Sequence, residues 1–160
     1  GLSAIAFASI SLEPVTIKFE AVSAQNATDL LQISGFAVET IQPETDKRSY
    51  LPLRNISLWS DIHTNETPLQ FGIFAGYTKN RGTKHSIVND PDLIFGLGDN
   101  IASLYRVSPR ITYQSGKLKL GLEGEYTSAT FGGSYNNKAM PVDTHKKENM
   151  RILWSTYYFF

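Results

Sequence analysis

The stretch from Ile101 to Phe131, IASLYRVSPRITYQSGKLKLGLEGEYTSATF, constrains this chain more than any other. Two runs with a residue period of two flank Ser115-Gly116, which predicts one long antiparallel hairpin whose turn uses the positive φ open to glycine. With Gln114 opposite Lys117, the pairs Thr112 and Lys119, Arg110 and Gly121, Ser108 and Glu123, and Arg106 and Glu125 share one face, because strand side chains alternate. That face is polar and charged. The other face pairs Tyr113 with Leu118, Ile111 with Leu120, Pro109 with Leu122, Val107 with Gly124 and Tyr105 with Tyr126. It is aliphatic in the middle and carries tyrosines towards both ends. Strands of about 12 to 14 residues exceed the ~5–6 usual in globular sheets and suit a tilted bilayer crossing, which needs ~9–11. Tyrosines bracketing an aliphatic band match the aromatic girdles of transmembrane barrels.

The rest of the chain extends this pattern. Alternation predicts strands over about 2–12, 15–21, 31–40, 51–63, 69–78, 101–115, 117–131 and 149–160, eight in all. The fourth leaves Arg54 on its apolar side. Connections alternate between tight (24–28, 64–67, 115–116) and long (41–50, 80–100, 132–148), with both termini on the short-turn side. This is the loop rhythm of outer-membrane barrels. The fold class expected is therefore all-β, a transmembrane antiparallel up-and-down barrel forming a single domain over residues 1–160. No apolar run approaches the ~18–20 residues of a transmembrane helix, and a slightly negative mean hydropathy is compatible with strands that are apolar on one side only.

Composition bounds the chemistry. Fifteen basic and fifteen acidic residues cancel, so no overall field points to nucleic acid. The absence of cysteine removes disulfides, thiolate metal sites and a cysteine nucleophile. Charges predicted to face inward are Lys18, Glu20, Asp61, Arg106, Arg110, Lys119, Glu123, Glu125 and Arg151. In a closed eight-stranded barrel, whose interior is filled by side chains, these form a mutually paired network. In a wider barrel they line a channel and select solutes by charge. Tyr77, Tyr105, Tyr113, Tyr126, Trp154, Tyr158 and Phe160 are predicted interface aromatics rather than sugar platforms, a role that stays open for loop residues such as Tyr135.

Asp61 and His63 have the spacing of an acid–histidine pair, but no nucleophile accompanies them, and a turn-stabilising hydrogen bond is the expected role. Asn89-Asp90-Pro91-Asp92 matches no calcium loop and reads as an Asx turn. Gly96 and Gly98 lack the strand-to-helix context of a nucleotide site. No enzymatic activity, cofactor or metal is expected.

The segments SLWSDIHTN (57–65), FGIFAGYTKNRG (71–82) and 101–132 resemble the C-terminal region of porin-like outer-membrane proteins of Bacteroidota, a similarity covering residues 29–160. The terminal aromatic Phe160, with Tyr158, Thr156, Trp154, Ile152 and Met150 alternating behind it, resembles the C-terminal signal by which bacterial outer-membrane barrels are recognised. These resemblances imply a Gram-negative outer-membrane location, passive transport of small solutes, and as partners the lipid bilayer, the barrel-assembly machinery acting on the C-terminal strand, and further copies in a homo-oligomer. Such families are much longer than 160 residues, so either this chain supplies the last eight strands of a larger wall or it forms a small barrel of related design. Two other functions remain compatible: a closed structural or adhesion barrel acting through its long loops, and a soluble β-barrel with an apolar ligand inside, which requires Leu118, Leu120 and Leu122 to be shielded.

Overall fold

The computed structural model describes residues 1–160. The chain is all-β, with ten strands and two short 3-10 turns: β1 (Ala4–Leu12), β2 (Val15–Gln25), β3 (Ser34–Ile41), β4 (Arg48–Pro52), β5 (Arg54–Thr64), β6 (Leu69–Gly82), β7 (Ile94–Leu97), β8 (Ile101–Ser115), β9 (Leu118–Tyr135) and β10 (Pro141–Tyr158). Seven of them form one antiparallel sheet in the order β1-β2-β5-β6-β8-β9-β10, and β4-β3-β7 form a second. The large sheet is open. Neither β1 nor β10 has a partner on its outer side, and because six antiparallel steps, an even number, separate them, both run in the same direction.

The organising hairpin is β8–β9, with its faces as expected and its turn one residue later. Gly116 and Lys117 are the central pair, Ser115 faces Leu118, and Gly116 has a φ of 55°, at the first central position where type II′ turns place glycine. The pairing therefore shifts by two: Arg110 opposes Glu123, Thr112 opposes Gly121 and Val107 opposes Tyr126. A shift of two preserves parity, so no side chain changes face.

Four other expectations change. The strand over 31–40 is not in the large sheet. It is β3, which pairs with β4 and β7, so residues 26–53 form one long excursion between β2 and β5 and the expected tight link at 24–28 does not exist. The fourth expected strand divides at Leu53 into β4 and β5, and Arg54 lies at the break, where its guanidinium donates to the carbonyls of Arg81, Gly82 and Thr83. The expected loop over 132–148 is mostly ladder, since β9 runs to Tyr135 and β10 starts at Pro141. With seven strands rather than eight, the termini lie at opposite ends: Leu2 is bonded to Gln25 beside the long connections, while Phe159 is bonded to Lys117 beside the short turn.

The hydrophobic core is not where a soluble sheet would have it. Ala37, Leu53, Ile87, Ile94 and Ala139 pack together among the long connections, with Leu51 and Tyr135 against them. Backbone bonds knit those connections, from Leu53 to Gly35, Ile87 to Asn137 and Val88 to Val38. Tyr135 donates from its hydroxyl to Asp99 at 2.5 Å, and burial, reinforced by that carboxylate, raises its phenol above the usual range. The hydroxyl of Tyr135, a residue for which a sugar platform stayed open in the sequence, is thus engaged inside the packed end. Outside this end almost nothing apolar is buried. The accessible surface is 10038 Å², against about 8,000 Å² for a soluble monomer of this mass.

Candidate functional site

The large sheet has two chemically opposite faces. In β6 the odd residues Leu69, Phe71, Ile73, Ala75 and Tyr77 are exposed, while the even residues Gln70, Gly72, Phe74, Gly76 and Thr78 are half-buried. The half-buried side is concave, because side chains from non-adjacent strands meet across it: Arg110 on β8 reaches over β6 to Asp61 on β5.

The convex side is a mostly apolar surface, broken by Ser60 and Thr156. One row across the sheet reads Ile10, Ile17, Ile62, Ile73 and Pro109, and the next continues through Ile111, Leu122 and Trp154. Tyr77 and Tyr105 face each other at the long-connection end, where the Tyr105 and Tyr126 rings lie 5.8 Å apart. Tyr113, Trp154, Tyr158 and Phe160 lie towards the short-turn end, with the last two rings edge-on at 5.8 Å. All seven aromatics expected at an interface are on this side. Beyond Tyr77 and Tyr105 the next row is mostly polar, with Ser23, Ile56, Lys79, Ser103, Thr130 and Lys146.

The concave side carries the charges, and most of them are paired. Asp61 receives both Nη1 and Nη2 of Arg110, at 2.5 and 2.8 Å, and its Oδ1 also lies 2.8 Å from His63 Nδ1. This pair does more than steady a turn: it ties β5 to β8 across β6. Gly72 of β6 makes the crossing possible, since a Cβ there would sit 2.8 Å from the Arg110 Cζ. Glu125, almost fully buried, holds Arg151 at 2.8 Å and Arg106 at 3.2 Å. Arg106 also donates to Thr127 Oγ1 at 3.1 Å. Glu20 accepts from the Trp59 indole N–H at 3.0 Å. Lys18 opposes Asp61 in register but makes no ion pair with it. Lys119 and Glu123 are likewise free of ion pairs and, with Arg110 and Tyr157, border a hollow of about 410 Å³. The structure thus brings together Asp61 with Arg110, and Glu125 with Arg106 and Arg151, and leaves Lys18, Lys119 and Glu123 facing open space.

One feature of the concave side is absent from the sequence expectations. Phe7, Trp59 and Phe74 sit among the charges as a contiguous strip, with centroids 6.1 Å apart for the first two and 6.0 Å for the last two. The signal was an aromatic in the polar phase of the alternation, at Trp59 and again at Phe74. The two other short motifs lie among the long connections. Asp90 Oδ1 accepts from the Asp92 N–H at 3.0 Å and caps the 3-10 turn Pro91–Leu93, and Gly96 lies against the backbone of Ser34 and Gly35 in the small sheet.

No family model, curated protein or solved structure matches this chain.

Proposed function

We propose that this chain is a segment of the wall of a porin-like outer-membrane β-barrel for passive diffusion of small solutes in a Gram-negative bacterium, with its convex face against lipid and its concave face lining water. The observation that carries the reading is the inversion of the sheet: the accessible apolar band is on the convex side and the ion-paired network on the concave side. Water gives no reason for that arrangement, whereas lipid does, because apolar contact is then gained outside and hydrated charge is kept inside.

The dimensions agree. Tyr105 and Tyr113 bracket the band on β8. Eight residues at about 3.4 Å, inclined at about 40°, span roughly 21 Å, close to the ~25 Å apolar band of such barrels. The side with tight turns corresponds to the periplasm in this reading, and the packed long connections correspond to the outer surface. The unpaired edges of β1 and β10 require further strands, since an open edge is not tolerated within lipid. Seven open strands do not fit a closed eight-stranded structural barrel. A soluble barrel with an apolar ligand inside is disfavoured by the exposure of Leu118 and Leu122 on the convex side.

Paired lumen charges leave little net field, so the pore is weakly ion-selective. The test is conductance of the assembled protein in a planar bilayer, after heat-modifiable migration has shown a folded barrel. Ohmic steps with weak cation–anion preference are expected. A protein that never becomes heat-modifiable and never partitions into vesicles overturns the reading.

A further inference from the structure

The strip Phe7, Trp59 and Phe74 is costly to place on a water-lined face, and nothing in the packing of the sheet requires it. Phe7 is largely exposed on β1, and Trp59 and Phe74 are half-buried on β5 and β6. An apolar patch rimmed by polar groups is the usual mark of a binding surface. Two details make this one a platform rather than a plug. Gly76 lies under Phe74: a Cβ there would sit 3.1 Å from both Cε1 and Cζ of that ring, so the half-buried phenyl lies down along the sheet. The Trp59 indole is pinned at its nitrogen by Glu20, which fixes its orientation. The successive rings are inclined to each other by 49° and 32°, too oblique and too close to admit a flat ring between them, so a ligand must lie on the strip rather than within it.

The surroundings narrow the chemistry. Arg106 continues the Trp59 row beyond Gly76, and a hollow of about 280 Å³ is bordered by Trp59, Phe74, Gly76 and Arg106. Lys18 and Asp61 lie in the same row as Phe74, next to the row of Phe7 and Trp59. Bases and acids nearly balance on this wall and most are already paired, so the strip has no strong preference for an ion. A ligand that suits it is uncharged, has a puckered apolar face for the rings, and has a rim of hydroxyls for donors and acceptors of both kinds. That is the chemistry of a neutral saccharide.

Resting on the porin-like reading, we propose that Phe7, Trp59 and Phe74 form a stacking platform on the pore wall for neutral saccharides, with Glu20, Asp61 and Arg106 bonding the ring hydroxyls. The passage of sugars is then favoured over that of ions of similar size, because part of the cost of leaving bulk water is offset at the strip.

The chain holds two tryptophans, Trp59 on the platform and Trp154 on the convex face, and they report separately. In the vesicle-assembled protein bearing Trp154→Phe, titration with maltohexaose is expected to change Trp59 emission with saturation, and Phe74→Ala in that background is expected to weaken the apparent affinity about tenfold. Potassium chloride at the same osmolarity is expected to leave the emission unchanged. In the complementary Trp59→Phe protein, brominated lipids are expected to quench Trp154 and maltohexaose to do nothing. Lipid quenching of Trp154 together with a saccharide-blind Trp59 overturns the platform and leaves the wall standing. Trp154 emission untouched by brominated lipid overturns the wall and the platform with it. A Phe74→Ala protein that binds as tightly as its parent also overturns the platform.

Discussion

Arginine placed along the convex face of β6 distinguishes a lipid-facing wall from any water-facing sheet. Leu69, Ile73 and Tyr77 share that face, and Ile73 lies four residues from either end of the trio. Four residues at about 3.4 Å, inclined at about 40°, put Ile73 roughly 10 Å deeper than Leu69 or Tyr77, near the midplane of the ~25 Å band. Arginine on the lipid face costs about 2–4 kcal/mol at the midplane and about 0–1 kcal/mol near an interface. Ile73→Arg is therefore expected to destabilise by about 2–4 kcal/mol and Leu69→Arg by no more than about 1 kcal/mol. Ser57→Arg, on the concave side of β5, is expected to change stability by no more than about 0.5 kcal/mol. The assay is guanidinium unfolding of the protein in phospholipid vesicles, followed by tryptophan emission and extrapolated linearly to water. If the convex face met water, Ile73→Arg would be an ordinary surface change, within about 0.5 kcal/mol and no worse than Leu69→Arg. Equal, small costs at Ile73 and Leu69 would refute the assignment of that face to lipid.

Further outcomes follow from particular contacts. Breaking a fully buried ion pair from one side costs about 3–5 kcal/mol; the Asp61 and Arg110 side chains retain 14% and 25% exposure, so Asp61→Ala is expected to cost about 2–3 kcal/mol, and a cycle with Arg110→Ala to give a coupling of about 1–2 kcal/mol in the same titration. Additive single costs would show that the two groups do not share the bond. Leu53→Ala, at a fully buried position in the packed long-connection end, is expected to cost about 2–5 kcal/mol and to speed amide exchange at Leu53 and Ile87, with the β8–β9 ladder less affected. Tyr135 has a raised phenol pKa, so the folded state prefers the neutral form; its contribution is complete below the ordinary phenol pKa of about 10 and declines as pH rises through and above it. Melting temperature is therefore expected to fall at alkaline pH in the parent and to fall less in Tyr135→Phe.

What the sequence made legible was parity. The β8–β9 register was misplaced by two residues, yet Arg106, Arg110, Glu123 and Glu125 face the concave side as expected, because only an odd slip exchanges faces. The same rule put Lys18, Glu20, Asp61 and Arg151 on the concave face and the seven aromatics on the convex one. Partners were less legible than faces. A strand carries its own alternation but not the identity of its neighbour, so the stretch with Leu31, Ile33, Gly35 and Ala37 on its apolar side reads as a wall strand, whereas β3 pairs with β4 and β7. The ion pair of Arg110 was also hidden, because its carboxylate is two strands away and the space it crosses exists only where Gly72 withholds a side chain. The polar character of 132–148 suggested a loop, but Thr144, Lys146 and Glu148 are simply the ends of long strands that rise above the apolar band.

The parity of the strand count bears on how such a wall closes. Every neighbouring pair in the large sheet is antiparallel, so the outer strands of a seven-stranded sheet, β1 and β10, point the same way. Joined directly, whether within one molecule or between copies related by rotation about a common pore axis, they would form a parallel seam. A two-fold axis lying in the membrane would restore antiparallel pairing but would turn one copy upside down, exchanging its polar long-connection end with its tight-turn end. An antiparallel barrel that keeps all its long connections on one side therefore needs an odd number of further strands between β10 and β1, and copies of this sheet alone do not provide them. On the proposed reading, homo-oligomerisation packs finished barrels side by side through their convex faces and does not complete the wall. On the proposed reading, the strands that close the wall alternate apolar outward and polar inward, and the one beside β1 presents its inward side chains next to the exposed ring of Phe7.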